Sequence, residues 1–483
     1  MSVKKLNKGW FSNTRGDILS GMTVAFALIP EAIAFSIIAG ISPMVGLYAS
    51  FCMAVVIAFT GGRVGMISAS TGAMALLMVG LVKDHGVEYL FAATILTGVI
   101  QIVLGLLKVG RLMSFVPQSV MTGFVNALAI LIFISQLEHF VGQGWIMYSL
   151  VALTLAIVYL FPLVTKAIPA ALVAIIVVSV VSISLGLNVN TVGDMGTITS
   201  AFPVLHIPQV LFTWETLIII LPYSVSLAVV GLLESLMTAT LIDDLTNSKS
   251  NKNREARGQG IANIVVGFFG GMASCAMIGQ SMINIKSGGK TRLSTLVSGV
   301  FLLFLIIVLG TLVKQIPMAA LVGIMIMVAV STFDWNSLKS LHKIPLSDAL
   351  VMVVTVITVV FTHNLSIGVL IGILMSAVVF AWKISKIKTT THAASGTKTY
   401  SVSGQMFFGT MNHFVDQFDY SDDPSQVIID FSNTHVWDQS AVNGIAKVIA
   451  KYQEFNKEVK ILGLNEESSK IVERVGLAAP TGH

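Results

Sequence analysis

The sequence predicts a polytopic α-helical membrane protein of about fourteen transmembrane helices, with a small α/β domain at its C-terminal end. Three observations carry that reading. Of 483 residues, 55% are hydrophobic and only 11% charged, with a mean hydropathy of +0.85, whereas a soluble domain carries about 25% charged residues. Apolar stretches near spanning length follow one another from about Ile18 to about Trp382. Beyond Trp382 polar residues return, and strand-like and helix-like runs alternate.

The segment Met1 to Trp10 lacks the short apolar run and small-residue cleavage site of a signal peptide, so the first membrane helix is expected to direct insertion. Continuous spans read clearly at Leu90–Leu107, Val116–Gln136, Leu217–Ile242 and Leu296–Val313. With the N-terminus inside, the loops after even-numbered spans hold Arg63, then Lys108 and Arg111, then Lys166. They also hold the run Lys249, Lys252, Arg254 and Arg257, then Lys286, Lys290 and Arg292, and Lys339 with Lys343. The opposite loops hold little beyond Lys83 and Lys314, and Gly186–Thr216 has no Lys or Arg. This asymmetry places both termini in the cytoplasm of a multi-pass protein of the plasma (cell inner) membrane. It also accounts for the formal charge of +5 without a nucleic-acid partner.

Lys383, Lys386 and Lys388 mark the membrane exit, and Thr389–Thr399 reads as a polar linker. Strand-like runs follow at Tyr400–Ser403, Met406–Phe408, Val427–Phe431 and Val459–Leu464, with a helix through Ala441–Tyr452. The expected division is a transport domain over 1–388, a linker over 389–399 and a small domain over 400–483.

Two segments are interrupted. Glycines and serines from Gly61 through Gly72 leave only Ala73–Val82 as an apolar run, and Gly270–Ser281 precedes an even shorter one, Met282–Ile285. They fall in the third and tenth spans, equivalent positions if the bundle is two repeats of seven. Short, Gly-interrupted segments in matching positions point to a transporter binding site. Half-helices starting at mid-membrane aim orphan N–H groups and positive dipole ends at a gap that suits an anion. The competing explanation is small residues for close helix packing. Two carboxylates also lie at membrane depth, Glu31 directly after Pro30 and Glu234 four residues before Thr238. Each costs about 2.5–3.5 kcal/mol there, and neither surrounding apolar run supplies a Lys or Arg. Such a group can exchange a proton, or, with the Thr238 hydroxyl and nearby carbonyls, hold Na⁺.

Cys52 and Cys275 lie inside apolar segments, so neither a disulfide framework nor a metal site is expected. There is no Ser/His/Asp candidate set, and Gly288-Gly-Lys-Thr291 lacks the first glycine of the phosphate-loop spacing. An enzyme, or a protein with a resident cofactor, is not predicted.

At this point the residues resemble the sulfate permease (SulP) anion transporters, a family that includes prestin and the cyanobacterial bicarbonate transporters. The resemblance rests on Arg15-Gly-Asp-Ile-Leu-Ser-Gly21, Ile29-Pro-Glu-Ala-Ile-Ala-Phe35, Ser42-Pro-Met-Val-Gly-Leu-Tyr48 and Gly105-Leu-Leu-Lys-Val-Gly-Arg111. Phe115–Phe124, Ser135-Gln136, Asn253-Arg-Glu255, Gly258-Gln-Gly260 and Gly288–Arg292 complete it. In the tail, Val402–Gly409 and Asp438-Gln-Ser440 are similar to the STAS domain these transporters carry.

The resemblance implies two inverted seven-helix repeats forming core and gate domains, a homodimer, and elevator-like alternating access. It places the anion at Glu31, Phe35, Ser70, Thr71, Gly72, Ala276, Met277 and Ile278, and a coupling ion at Glu234 and Thr238. Ser440 matches a position phosphorylated in soluble relatives and is a candidate regulatory site. Two departures stand out: Glu31 where many relatives have Gln, favouring proton coupling, and Gln280 where many have Arg, removing a fixed positive charge. The expected function is secondary active transport of a small anion (sulfate, bicarbonate, chloride or a dicarboxylate) by H⁺ symport. Na⁺ symport or anion exchange is the alternative. A channel-like or motor protein and a membrane sensor are the rival classes.

Overall fold

The computed structural model describes residues 10–475 except 109, 111–115, 166–168, 197–200, 212 and 395. Arg111, Phe115 and Lys166, used above for orientation and family motifs, lie outside the described residues. The chain divides between Ile373 and Leu374 into two compact units.

In the first, the long apolar runs become helices because hydrocarbon offers the backbone no other hydrogen-bond partner. The helices are α1 (Thr14–Ile38), α2 (Pro43–Thr60), α3 (Gly72–His85), α4 (Val87–Leu106), α5 (Gln118–Leu137), α6 (Trp145–Val164) and α7 (Ala170–Ser184). They continue with α8 (Trp214–Thr246), α9 (Lys252–Phe268), α10 (Ile278–Lys286), α11 (Arg292–Val313), α12 (Met318–Thr332) and α13 (Leu346–Thr362), and the division falls within the last of them, α14 (Leu365–Ile384). Among the described residues, eight helices are long and apolar enough to cross a membrane alone. The expected count of about fourteen spans is reached only by including the shorter α3, α7, α9, α10, α12 and α13.

Packing sorts the helices into two sets. Helix α11 packs on α1 and α2, while α9 packs on α2 and α4, and α8 on α4. In the other set, α12 packs on α5 and α6, α13 on α5, and α7 on α6. The close crossing between α4 and α9 is made by glycine. A Cβ on Gly98 would stand 2.4 Å from the Gly260 carbonyl oxygen, and one on Gly260 2.5 Å from that of Gly98. Only residues without a side chain let two backbones meet this closely.

Two short strands lie between the halves. β1 (Ser68–Ala69) pairs antiparallel with β2 (Cys275–Ala276), Ser68 opposite Ala276 and Ala69 opposite Cys275. Helix α3 leaves β1 two residues later, and α10 leaves β2 after one. Because the strands are antiparallel, the two half-helices depart in opposite senses, the inverted relation of the two repeats made visible in one ribbon. With 14 and 9 residues, they are about 21 and 14 Å long, well short of a hydrocarbon core of about 30 Å.

The second unit is a four-stranded sheet in the order β3–β4–β5–β6 with helices packed on it. β4 (Thr397–Met406), β5 (Gln426–Val436) and β6 (Glu458–Leu462) are parallel, and β3 (Lys388–Ala394) is antiparallel to β4. The polar stretch expected as a linker is therefore largely strand: Thr389–Ala394 form most of β3, pairing in register with Thr397–Val402. Its alternation was hidden because β3 is a mostly exposed edge, with no apolar face to give a period of two. Helices α15 (Met411–Val415), α16 (Gln439–Glu454) and α17 (Glu466–Val475) complete the unit. Tyr400, Val402, Met406, Ile429, Phe431, Ile445, Val448 and Tyr452 form its buried core.

Candidate functional site

The site begins with the caps of the half-helices. Thr71 is the N-cap of α3, its hydroxyl accepting the Met74 N–H at 3.4 Å, the usual way a threonine stops the chain from fraying at a helix start. Met277 caps α10 without a side-chain bond. Among the described residues, the N–H groups of Gly72 and Ala73 on α3, and of Ile278, Gly279 and Gln280 on α10, have no hydrogen-bond acceptor. Such orphan donors, with the positive end of each helix dipole, make a cradle for negative charge.

These N-termini open on a cavity of about 260 Å³. Its walls include Glu31, Phe35, Thr71, Gly72, Glu234, Met277 and Ile278, which the sequence had named, together with Gln280 of α10. The far wall comes from the second helix set: Phe124, Leu128 and Ile132 of α5, Met327, Val328 and Ser331 of α12. Among the described residues, no Lys or Arg lines it. The groups there that can attract an anion are the main-chain N–H donors of the two half-helices.

Both carboxylates are anchored on one oxygen. Glu31 Oε2 accepts the Gln280 side-chain amide at 2.5 Å. Glu234 Oε2 accepts the Cys275 thiol at 2.9 Å and lies 3.5 Å from the Thr71 hydroxyl, which itself lies 3.2 Å from the Cys275 sulfur. Glu31 and Glu234 thus reach the same cavity from the first helix of each repeat.

Three predicted residues stand behind the wall. Ser70 donates its hydroxyl to the Gly46 carbonyl at 2.8 Å, and its N–H goes to Ser50 Oγ. Ala276 is fully buried, with its N–H on Ser235 Oγ at 3.1 Å. The Thr238 hydroxyl donates to the carbonyl oxygen of Glu234 at 2.7 Å rather than meeting its carboxylate. Ser70 and Ala276 hold the ribbon rather than face the cavity, and the Thr238 bond lies within α8.

The motifs that carried the family resemblance are the scaffold of this ribbon. Gln259 donates to Ser68 Oγ at 2.9 Å, fixing β1. Buried Glu255 accepts the N–H groups of Gly62 and Arg63 at 2.6 and 2.8 Å, setting the turn before β1. Asp17 accepts the Lys290 and Thr291 N–H groups at 2.7 and 3.1 Å, tying the start of α1 to the loop after α10.

Sequence reasoning did not single out Cys275 as a partner of Glu234, nor the α5 and α12 wall. The latter carries no signal, since an apolar residue facing a cavity looks like one facing lipid. Gln280 was read only as a missing positive charge; here it is the residue that orients Glu31. Ser440 is exposed at the second position of α16, whose N-cap Asp438 accepts the Ala441 N–H at 2.9 Å. A phosphate there would meet a helix N-terminus.

Opposed half-helices that open on a small cavity between two helix sets are the architecture of a multi-pass membrane transporter, and the family and relatives that the chain matches are transporters rather than enzymes. The chain belongs to the sulfate permease family: residues 14–153 and 145–355 match that family, and 388–480 match the STAS domain. It is 57% identical over 471 residues, covering 97% of this chain and 98% of the other, to a Bacillus subtilis (strain 168) protein called "Putative sulfate transporter YbaR". It is 28% identical to the bicarbonate transporter BicA of Picosynechococcus, over 98% of this chain and 92% of that one. Among solved structures, the transmembrane domain of a cyanobacterial BicA superposes with a TM-score of 0.68 at 28% identity, covering 74% of this chain and 98% of that one. Murine Slc26a9, described as an anion transporter in the inward-facing state, superposes with a TM-score of 0.82 at 18% identity, over 95% and 87% of the two chains, and so shares the fold.

Proposed function

We propose that this protein moves a small monovalent or divalent anion across the membrane by alternating access, coupled to protons through Glu234. One observation carries the reading: orphan N–H groups of two opposed half-helices open on a cavity that two carboxylates share and, among the described residues, no cationic side chain lines. An anion supplies the charge that the amides await, and a proton on Glu234 removes the repulsion between carboxylate and anion when both are bound. Na⁺ is the less favoured partner, because Thr238, the hydroxyl expected to join Glu234 as a ligand, does not line the cavity that Glu234 faces. The relatives named for sulfate and for bicarbonate bracket the anion class.

A second, larger cavity of about 1080 Å³ shares Met237 and Ile278 with the anion cavity and is rimmed by Lys249 and Lys252. The Met237 and Ile278 side chains form the proposed partition between site and vestibule, and the basic loops at that end make it the proposed cytoplasmic side. Movement of the α1–α4/α8–α11 set against the α5–α7/α12–α14 set, within a homodimer, is the proposed route to the other face. Ser440 is the proposed point of regulation, and residues 1–388 the proposed transport domain.

The test is uptake of radiolabelled sulfate, hydrogen carbonate, chloride and a dicarboxylate into proteoliposomes under imposed pH or Na⁺ gradients, for wild type and Glu234→Gln. An acid-outside gradient is expected to drive wild-type uptake, and Glu234→Gln to retain anion exchange while losing the gradient response. Undiminished pH-driven accumulation by Glu234→Gln would remove the residue from coupling.

A further inference from the structure

The role assigned to Glu234 leaves a buried nucleophile unexplained beside it. Cys275 is the first residue of β2, fully buried, and its thiol has two partners: Glu234 Oε2 at 2.9 Å and Thr71 Oγ1 at 3.2 Å. Thr71 Oγ1 also caps α3 through the Met74 N–H. The chain Met74–Thr71–Cys275–Glu234 therefore runs from the first turn of one half-helix, through the other repeat's strand, to a carboxylate of the cavity wall. Glu234 Oε1, by contrast, accepts no hydrogen bond among the described residues, and Glu234 lines the cavity.

We propose that Cys275 is a positioning residue for coupling: its thiol proton, donated to Glu234 Oε2, holds the carboxylate with Oε1 turned to the cavity and sets the pH range over which transport responds. This rests on Glu234 as the coupling carboxylate.

The chemistry follows from what each group can offer. An ionised carboxylate is acceptor-only, and a thiol is a weak donor, so the contact favours the charged form of Glu234 over the protonated one. When Glu234 gains a proton on Oε1, Oε2 becomes a neutral carbonyl oxygen and a weaker acceptor, so the hydrogen bond from the thiol weakens. Among the described residues, one other charged group lines the cavity. Across the cavity the titratable residue is Glu31 of α1, held by Gln280. The faces of α3, α5, α10 and α12 bring only Thr71, apolar residues, Gln280, Ser331 and Thr332 to the cavity. Behind it, Gln101 of α4 and Asn263 of α9 hydrogen-bond each other and are uncharged.

The test compares the pH profile of uptake by the full-length protein for wild type, Cys275→Ala and Cys275→Ser. Cys275→Ala is expected to raise the pH of half-maximal uptake by about one unit, a tenfold change in proton affinity. The KM for anion, measured at acid pH, should move less than about threefold. Cys275→Ser, which keeps a donor, should return most of the shift. A merely structural role would alter KM and yield together and leave the pH midpoint in place. An alanine profile that superimposes on wild type, or equal shifts for alanine and serine, overturns the proposal.

Infrared spectroscopy of the wild-type protein needs no variant at position 275. One of the two S–H stretching bands should move between acid and neutral pH and be static in Glu234→Gln; two immobile bands overturn the proposal. Because that readout follows the thiol and not transport, it separates failure of this contact from failure of Glu234 as the coupling group.

Discussion

Adding one methyl group to Gly72 tests the central geometry most directly. Gly72 is the first residue of α3, and its N–H is one of the donors aimed into the cavity. An added Cβ would stand 2.8 Å from Phe35 Cε1, and 3.0 and 3.3 Å from Ile132 Cδ1 and Cγ1. Both neighbours are ends of side chains that line the cavity, so they can yield, and Gly72→Ala should fold. The space they yield into is the cavity itself, which is only about 260 Å³. Phe35 moves toward the anion position, and the Gly72 amide is screened. Loss of one hydrogen bond to a charged group costs about 1.5–3 kcal/mol, which corresponds to a rise in KM of roughly 10- to 150-fold. Coupling should persist, because Glu234 is untouched.

Gly279, at the matching end of α10, supplies the control: a Cβ there meets no atom within 4 Å. Gly279→Ala should change KM by less than about threefold. The assay is concentration-dependent anion uptake into proteoliposomes, with detergent-stable size-exclusion behaviour confirming the fold. Equal KM values for the two variants, or a wild-type KM in Gly72→Ala, would show that the anion does not sit against the start of α3.

Two further outcomes bear on stability. Gly98→Leu forces a branched side chain into the backbone contact between α4 and α9, where even a Cβ would lie 2.4 Å from the Gly260 oxygen. It should cost at least about 1–3 kcal/mol and appear as lost thermal stability in detergent; an unchanged melting temperature would contradict the close crossing. In the STAS domain, buried Asp423 accepts the Lys398 ammonium at 2.5 Å and the Tyr400 hydroxyl at 2.6 Å, and also binds Tyr452. Burial pushes the Asp423 carboxyl up, but these three donors outweigh it and hold it below the usual aspartate range. A depressed carboxyl contributes stability above its unfolded value of about 3.9 and loses it as pH falls through the folded value. Asp423→Asn should therefore cost about 2–3 kcal/mol at neutral pH and nothing extra at strongly acid pH. Hydrogen exchange along β4 in the full-length protein reads this, and equal protection of the two proteins at neutral pH would refute it.

Much of this protein was legible in the chain. Hydropathy declares the membrane helices because lipid imposes one solution on the backbone, whatever the neighbours. The glycine- and serine-rich breaks before Ala73 and Met282 declared the half-helices, since no full span can be built from what remains. Glu31 and Glu234 announced themselves by cost alone.

Pairing and direction were decided only in three dimensions. That Ser68 lies opposite Ala276, that Ser70 turns back to the Gly46 carbonyl instead of facing the cavity, and that Cys275 meets Glu234 all depend on contacts between residues far apart in sequence. The edge strand at Lys388–Ala394 was likewise invisible, because its hydrogen bonds to β4, rather than any apolar period of its own, make it a strand. Local sequence records what each segment must bury. Which polar atom ends up facing which is a property of the assembled fold, where every buried donor seeks the nearest acceptor left unfilled.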